Sequence, residues 1–255
     1  MKIKTVAECL TGTGIKACVF GFAGTGKTVL MSTLPGKGLV ISAEAGLLSL
    51  GNVQPEGEMS VVEIQSIEDL RTAYSMLKAG GHHYQWTALD SVSEIAEVLL
   101  AAEKRKTPDP RKAYGVLIDE MGVILRSFRD LPMDVYFVAQ AEHEKDEQTG
   151  RISTKILVPG SKLGAKIPYM FDEVFQLVVV EDRETGAISR WLQTRKDSKC
   201  DCKDRSGKLD AFEPAHLGRV IAKIRGQQVT EPAPAQPEDV QQNGTTDPNA
   251  NTAAQ

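Results

Sequence analysis

Residues 15–34 read IKACVFGFAGTGKTVLMSTL, and this stretch decides the architecture. Ala17, Cys18, Val19 and Phe20 make an apolar run with the length of a buried strand. Gly21, Phe22, Ala23, Gly24, Thr25, Gly26, Lys27 and Thr28 follow, and they satisfy G-x-x-x-x-G-K-[ST], the phosphate-binding loop. Val29, Leu30, Thr33 and Leu34 then fall at helical spacing. Gly21, Gly24 and Gly26 let the backbone double back and aim successive N–H groups inward. Those donors and the helix N-terminus form an anion cradle. Lys27 adds a positive charge for the β- and γ-phosphates, and Thr28 offers a hydroxyl to Mg²⁺. A chance glycine-rich turn is the bland alternative, and the strand before and helix after argue against it. A nucleoside triphosphate with Mg²⁺ is the expected ligand.

Outward from the loop, strands and helices alternate. Leu39, Val40, Ile41 and Ser42 read as a second strand, and residues 60–64 as a third. Ile67, Leu70, Ala73, Tyr74 and Leu77 mark a helix stopped by Gly80 and Gly81. Residues 86–90 (WTALD) are a fourth strand, with Ser91 as the cap of a helix running into a basic, proline-broken stretch, residues 103–112. A long helix spans residues 114–128, and residues 134–140 (DVYFVAQ) are a fifth strand. Residues 141–194 read as antiparallel β with turns at 148–150 and 183–186 and a Gly/Lys-rich segment at 159–164 between them. Residues 195–213 read as a charged loop and 215–225 as a last helix. The expected fold class is α/β, a parallel central sheet flanked by helices with an antiparallel β extension toward the C-terminal side.

In such a sheet the ligand sits at the carboxyl ends of the strands. The loop, Glu44, Asp90 and Gln140 all fall at strand ends. Asp90 ends an apolar strand, where a Mg²⁺-holding carboxylate belongs; its plainer role is to cap the next helix. Glu44 is the candidate general base that orients a water toward the γ-phosphate, against a surface Glu in a turn. Gln140 is either a sensor of the γ-phosphate or an amide that satisfies a strand end.

Composition bounds the rest. The chain has 255 residues, 41% hydrophobic and 25% charged, which is ordinary for a globular protein. No apolar run approaches the length of a membrane span, and the start lacks the apolar core of a signal peptide, so a cytoplasmic protein without membrane contact is expected. The four cysteines have neither zinc spacing nor a disulfide framework. Formal net charge is −4, and residues 231–255 carry four acidic and no basic residues, so the body is formally neutral. That is not the signature of a dedicated duplex-DNA binder. The expected division is a globular domain over residues 1–226 and a disordered, acidic Pro/Gln/Asn/Thr-rich tail over 227–255.

Phosphate loop, Glu after the second strand (ISAEAG), Asp-Ser after an apolar strand (TALDSVSEI) and Gln after the next (YFVAQ) together resemble the RecA-like P-loop ATPase core. The likeness covers about residues 14–225. It looks closest to compact phage-encoded nucleotide-binding proteins, including the Sak-type single-strand annealing group, through LVPGSKLGAKIPYMFDEVFQL and RWLQTRKDSKCDCKDRSGKLDAFEP. The resemblance implies ATP hydrolysis with Mg²⁺ and assembly into a ring or filament. Lys203 and Arg205 match the basic residues that such proteins present to a neighbouring subunit's γ-phosphate; a solvated charged loop is the alternative. Two basic stretches match the family's loops for single-stranded DNA. One is Lys104, Arg105, Lys106, Arg111 and Lys112; the other includes Lys145, Arg151, Lys155, Lys162 and Lys166. Neither loop carries an aromatic before Tyr169, so stacking is thinly provided. The tail resembles those that dock partners such as a single-strand-binding protein.

The implied function is a DNA- or assembly-stimulated ATPase that binds single-stranded DNA and assists annealing and homologous recombination. Two other classes share the loop: a P-loop kinase acting on a small molecule, and a nucleotide-switched assembly protein with little turnover.

Overall fold

Alternation along the first strand sets the layers. In β1 (Lys16–Gly21), Ala17 and Val19 are buried on one face of the sheet, and Cys18 and Phe20 on the other. Both faces are covered, so the strand reads as a continuous apolar run rather than an amphipathic one. Burial pushes the Cys18 thiol up to about 12, which leaves it a small inert hydrophobe. The computed structural model describes residue 5 and residues 14–44, 47–182 and 185–229. The acidic tail, the start of the chain and parts of the turns at 45–46 and 183–184 lie outside the described residues.

Among the described residues ten strands form one sheet in the order β10 (Phe212–Pro214), β8 (Ile188–Gln193), β7 (Glu173–Glu181), β1, β5 (Asp134–Lys145), β4 (Trp86–Asp90), β2 (Lys37–Ser42), β3 (Glu58–Glu63), with β6 (Ile152–Leu157) paired to β5 and β9 (Lys203–Asp204) to β7. β2, β3, β4, β5 and β7 run parallel with β1. The antiparallel part comprises β6, β8, β9 and β10. The expected architecture is therefore present, with one change. Residues 173–181 do pair antiparallel with β8, but on their other side they add a sixth parallel strand beside β1.

Helices α2 (Ile67–Ala79), α3 (Val92–Lys106), α4 (Pro110–Arg129) and α5 (Ser161–Met170) cover the Cys18 face. α1 (Lys27–Leu30) and α6 (Leu217–Ile224) cover the other. Trp86 and Trp191 are both buried packing residues. Gly38 is required where it stands, because a Cβ there would lie 2.0 Å from the Trp86 ring across the strand pair. Among the described residues no helix is long and apolar enough to cross a membrane.

Two local expectations are corrected. The helix after the phosphate loop has only four α residues, continued by a 3₁₀ turn over Met31–Thr33. Ser32 and Thr33 hydroxyls donate back to the Val29 and Leu30 carbonyls at 2.7 and 2.8 Å, competing with the main-chain ladder. Pro35 then holds Leu34 extended. So short a helix contributes little dipole. The second correction is α5, which occupies the Gly/Lys-rich segment despite Pro168 near its C-terminal end.

Glu173, at the amino end of β7, is buried across the strand pair from Asp204, and its Oε2 accepts no hydrogen bond from another described residue. Burial, with the Asp204 charge adding to it, raises its carboxyl to about 8. The folded state thus keeps a proton that the unfolded chain releases near 4.5, so stability falls as pH rises from about 4.5 to about 8. Glu173→Gln is expected to flatten this dependence, recovering on the order of 2 kcal/mol at pH 9 relative to pH 5. Urea unfolding of both proteins across that range checks it.

Candidate nucleotide and magnesium site

Register brings the four polar strand ends to one edge. Gly21 lies level with Gln140, and Ser42 level with Asp90, which in turn is level with Val138 of β5. The phosphate loop leaves β1 at this edge. Gly24 and Gly26 take φ of 76° and 96°, where a side chain is strained. A Cβ at Gly24 would meet no heavy atom of the described residues within 4 Å other than its own chain neighbours. The Lys27 ammonium donates to the Gly21 and Phe22 carbonyls, each at 2.9 Å, bridging the loop's first turn. Burial lowers the Lys27 pKa, while Glu44 and Asp90 oppose that shift.

Thr28 and Asp90 meet at this edge. The Thr28 hydroxyl donates to Asp90 Oδ2 at 2.7 Å. Asp90 is 2% exposed. Burial raises its carboxyl, the Thr28 hydrogen bond lowers it and Glu44 raises it further. The plainer reading of Asp90 as a helix cap is not what forms: the cap is Ser91, whose Oγ accepts from Glu94 N at 3.3 Å.

Glu44 and Gln140 also meet. Glu44 Oε1 accepts from the Ser91 hydroxyl at 2.5 Å and from Gln140 Nε2 at 3.0 Å. Both bonds fall on one oxygen, and Oε2 has no hydrogen bond to another described residue. The Gln140 N–H donates to Ser93 Oγ at 2.9 Å, and Ser93 Oγ donates to the Leu157 carbonyl of β6 at 2.6 Å. Gln140 does not end the strand as expected: it pairs with Gly21 on one side and Leu157 of β6 on the other, and from Ala141 to Lys145 β5 continues paired with β6 alone. Phe22 of the loop packs on His143 of that hairpin, ring centroids 4.6 Å apart. The nucleotide edge and the hairpin are therefore one bonded unit.

The residues present fit a Mg²⁺-bound nucleoside triphosphate. Two left-handed glycines form an open cradle and Lys27 supplies a cation. Thr28 and Asp90 supply hard oxygens, and Mg²⁺ characteristically uses one or two carboxylates plus substrate phosphates rather than an all-protein cage. The described residues hold no cluster of three or more His, Cys, Asp or Glu side chains arranged for a metal.

Ser91, Ser93 and Arg190 also belong to this site, and no motif in the sequence marks them for it. The two serines were visible in TALDSVSEI, where the first reads only as a cap. Arg190 of β8 reaches the loop from another part of the chain, its Nε 3.0 Å from the Thr25 carbonyl.

Lys203 and Arg205 are not brought to this edge. Lys203 pairs with Val174 in the ladder, and its ammonium donates to the Pro168 carbonyl at 2.7 Å and to the Phe171 carbonyl. Arg205 pairs with Asp172 at 2.8 Å, beside the amino end of β1.

The basic stretches become neighbours. Lys104 lies over the Tyr114 ring, 5.5 Å from its centroid. A Cβ at Gly160, the N-cap of α5, would sit 3.6 Å from Tyr114 Cδ1. Along α5, Lys162, Lys166 and Tyr169 are exposed at i, i+4 and i+7, hence on one face. Tyr169, 84% exposed, rims a cavity of about 510 Å³ that Lys155 also lines. Two of the basic candidates are already paired, Lys106 with Glu103 at 2.5 Å and Lys155 with Glu144. Arg105, Arg111, Lys112, Lys145 and Arg151 are exposed.

A family model described as AAA domain matches residues 13–206. None of the curated proteins matches the chain. Among solved structures, a KaiC-like protein from the hyperthermophilic archaeon Pyrococcus horikoshii OT3 is 16% identical, with 79% of this chain and 84% of that chain covered and a TM-score of 0.45.

Proposed function

The chain belongs to the AAA domain family of P-loop ATPases, and from that premise we propose that it is a Mg²⁺-dependent ATPase that binds single-stranded DNA and assists annealing and recombination, in the manner of the Sak-type phage proteins. When bound, Mg²⁺ would supply charge neutralisation for the phosphates. Loop N–H groups and Lys27 hold the phosphates, and Thr28 and Asp90 hold the metal. Glu44, fixed through Oε1 by Ser91 and Gln140, keeps Oε2 to accept a proton from an attacking water.

The observation that carries the DNA reading is the meeting of the basic stretches at Tyr114 and their continuation along α5 to Tyr169. A strip of cations beside an exposed aromatic ring suits a phosphate backbone and a stacked base. The bonds from Glu44 through Gln140 and Ser93 to β6 give hydrolysis a route to the hairpin next to that strip. Arg205, exposed at the amino edge of the sheet, suits action on a neighbouring copy's nucleotide if it leaves Asp172, whereas the Lys203 ammonium is held by the Pro168 and Phe171 carbonyls of its own chain.

ATP turnover should rise on adding single-stranded DNA at low salt, and the stimulation should fade as salt increases. Replacing Lys162, Lys166 and Tyr169 together by Ala should weaken DNA binding by roughly 10- to 10²-fold and lose the stimulation with it. Turnover and DNA affinity that ignore both changes would sink the DNA reading. Phosphoryl transfer to a nucleoside, or tight ATP binding without turnover, would instead favour a kinase or a nucleotide-switched assembly protein.

A further inference from the structure

We infer that Arg190 is a positioning residue for the phosphate loop, one that holds a cradle N–H in place from outside the cradle. This rests on the ATP reading above. Arg190 lies on β8, in the antiparallel extension, 165 residues from its contact. Its Nε donates to the Thr25 carbonyl at 3.0 Å, and a Cβ at Gly26 would meet that same Nε at 3.4 Å. The guanidinium therefore packs on the Thr25–Gly26 peptide.

That peptide is trans, so its C=O and N–H point in opposite directions. Fixing the Thr25 carbonyl toward Arg190 turns the Gly26 N–H the other way, into the cradle. Gly26 alone would not hold that orientation, since its φ of 96° belongs to a residue with unusual freedom to rotate. A charge-assisted hydrogen bond removes the freedom before the ligand arrives. The loop's own helix is too short to do this.

Arg190 is itself held. Its carbonyl accepts from the Ala215 N–H at 3.1 Å, at the junction of β10 and α6. Two residues on, the Leu217 N–H donates to Thr33 Oγ1 at 2.8 Å, just after the loop helix. The extension thus grips the loop at Thr25 and the segment after it at Thr33. Because the contact is to backbone, neither the P-loop motif nor the β8 sequence announces it.

The test uses the full chain and isothermal titration with Mg-ATP and Mg-ADP. Arg190→Met keeps the aliphatic stem against Gly26 and deletes the donor; Arg190→Gln restores an amide donor without the charge. Arg190→Met should raise both dissociation constants by roughly tenfold. Arg190→Gln should recover much of that loss, and turnover at saturating ATP should change less than KM. The Gly26 amide of the ligand-free Arg190→Met protein should exchange faster with solvent, with other loop amides less affected. Wild-type affinity and wild-type Gly26 exchange in Arg190→Met would overturn the inference, as would a loss that Arg190→Gln does not relieve. Lys27→Ala separates the two levels. If it loses nucleotide binding while Arg190→Met binds normally, only the role of Arg190 falls; if wild type and Lys27→Ala behave alike, the ATP reading falls with it.

Discussion

Glu44→Gln is expected to reduce ATP turnover by roughly 10²- to 10³-fold while leaving Mg-ATP binding within about twofold of wild type. The substitution is nearly isosteric. Its amide oxygen can still accept from the Ser91 hydroxyl and from Gln140 Nε2, the two bonds that place the side chain. What disappears is the ability of Oε2 to take a proton from water. The phosphate loop is untouched, because Lys27 bonds to the Gly21 and Phe22 carbonyls and not to Glu44. Single-turnover hydrolysis beside titration of a non-hydrolysed ATP analogue separates the two quantities. Unchanged turnover would remove Glu44 from catalysis and favour the nucleotide-switched alternative. Ser91→Ala, which takes away one of the bonds to Oε1, should fall between wild type and Glu44→Gln.

Asp90→Asn is expected to make nucleotide affinity independent of Mg²⁺ and to lower turnover by roughly 10²-fold. Its oxygen can still accept the Thr28 hydroxyl, now at 2.7 Å from Oδ2, so the local geometry survives. The lost quantity is the negative charge. In wild type, added EDTA should weaken ATP binding; in the variant it should change nothing. The same substitution should raise stability. Burial disfavours the ionised carboxylate and Glu44 adds to that, so the folded state holds Asp90 at a cost above its ordinary titration range. Asn carries no such cost, and urea unfolding at pH 8 should show the variant to be more stable than wild type. A variant that hydrolyses ATP normally with Mg²⁺ would contradict the assignment, whatever its stability.

The nucleotide edge was readable from sequence because each member sits where an apolar run ends. Trp86 to Asp90 is a strand in the structure with the same limits, and Ser91 is the cap that follows it. Glu44 follows a short apolar strand and Gln140 stands where the apolar run of β5 stops, although that strand itself continues to Lys145; a parallel sheet gathers such positions at one edge. Local pattern fails elsewhere for identifiable reasons. Residues 173–181 show a half-exposed alternation at their far end, which reads as antiparallel β; their buried beginning pairs with β1 instead. Gly160, Gly164 and Pro168 hide α5, which forms because Leu163 and Ile167 bury on the Cys18 face. Ser32, Thr33 and Pro35 cut short a helix whose apolar spacing suggested more.

By itself, then, the sequence determined the phosphate loop, the sheet class and the identity of the polar groups at its edge. These follow from short-range rules: glycine torsions, the strand and helix periods, and where apolar runs stop. Only the tertiary structure decided which of those groups touch. It bonded Glu44 to Gln140, brought Lys104 and α5 together at Tyr114, set Arg190 against Thr25, and kept Lys203 and Arg205 at the far edge. Each of these contacts joins residues distant in the chain, and each depends on strand register and on which face a side chain takes. Those are properties of the whole packed sheet, and no window of residues contains them.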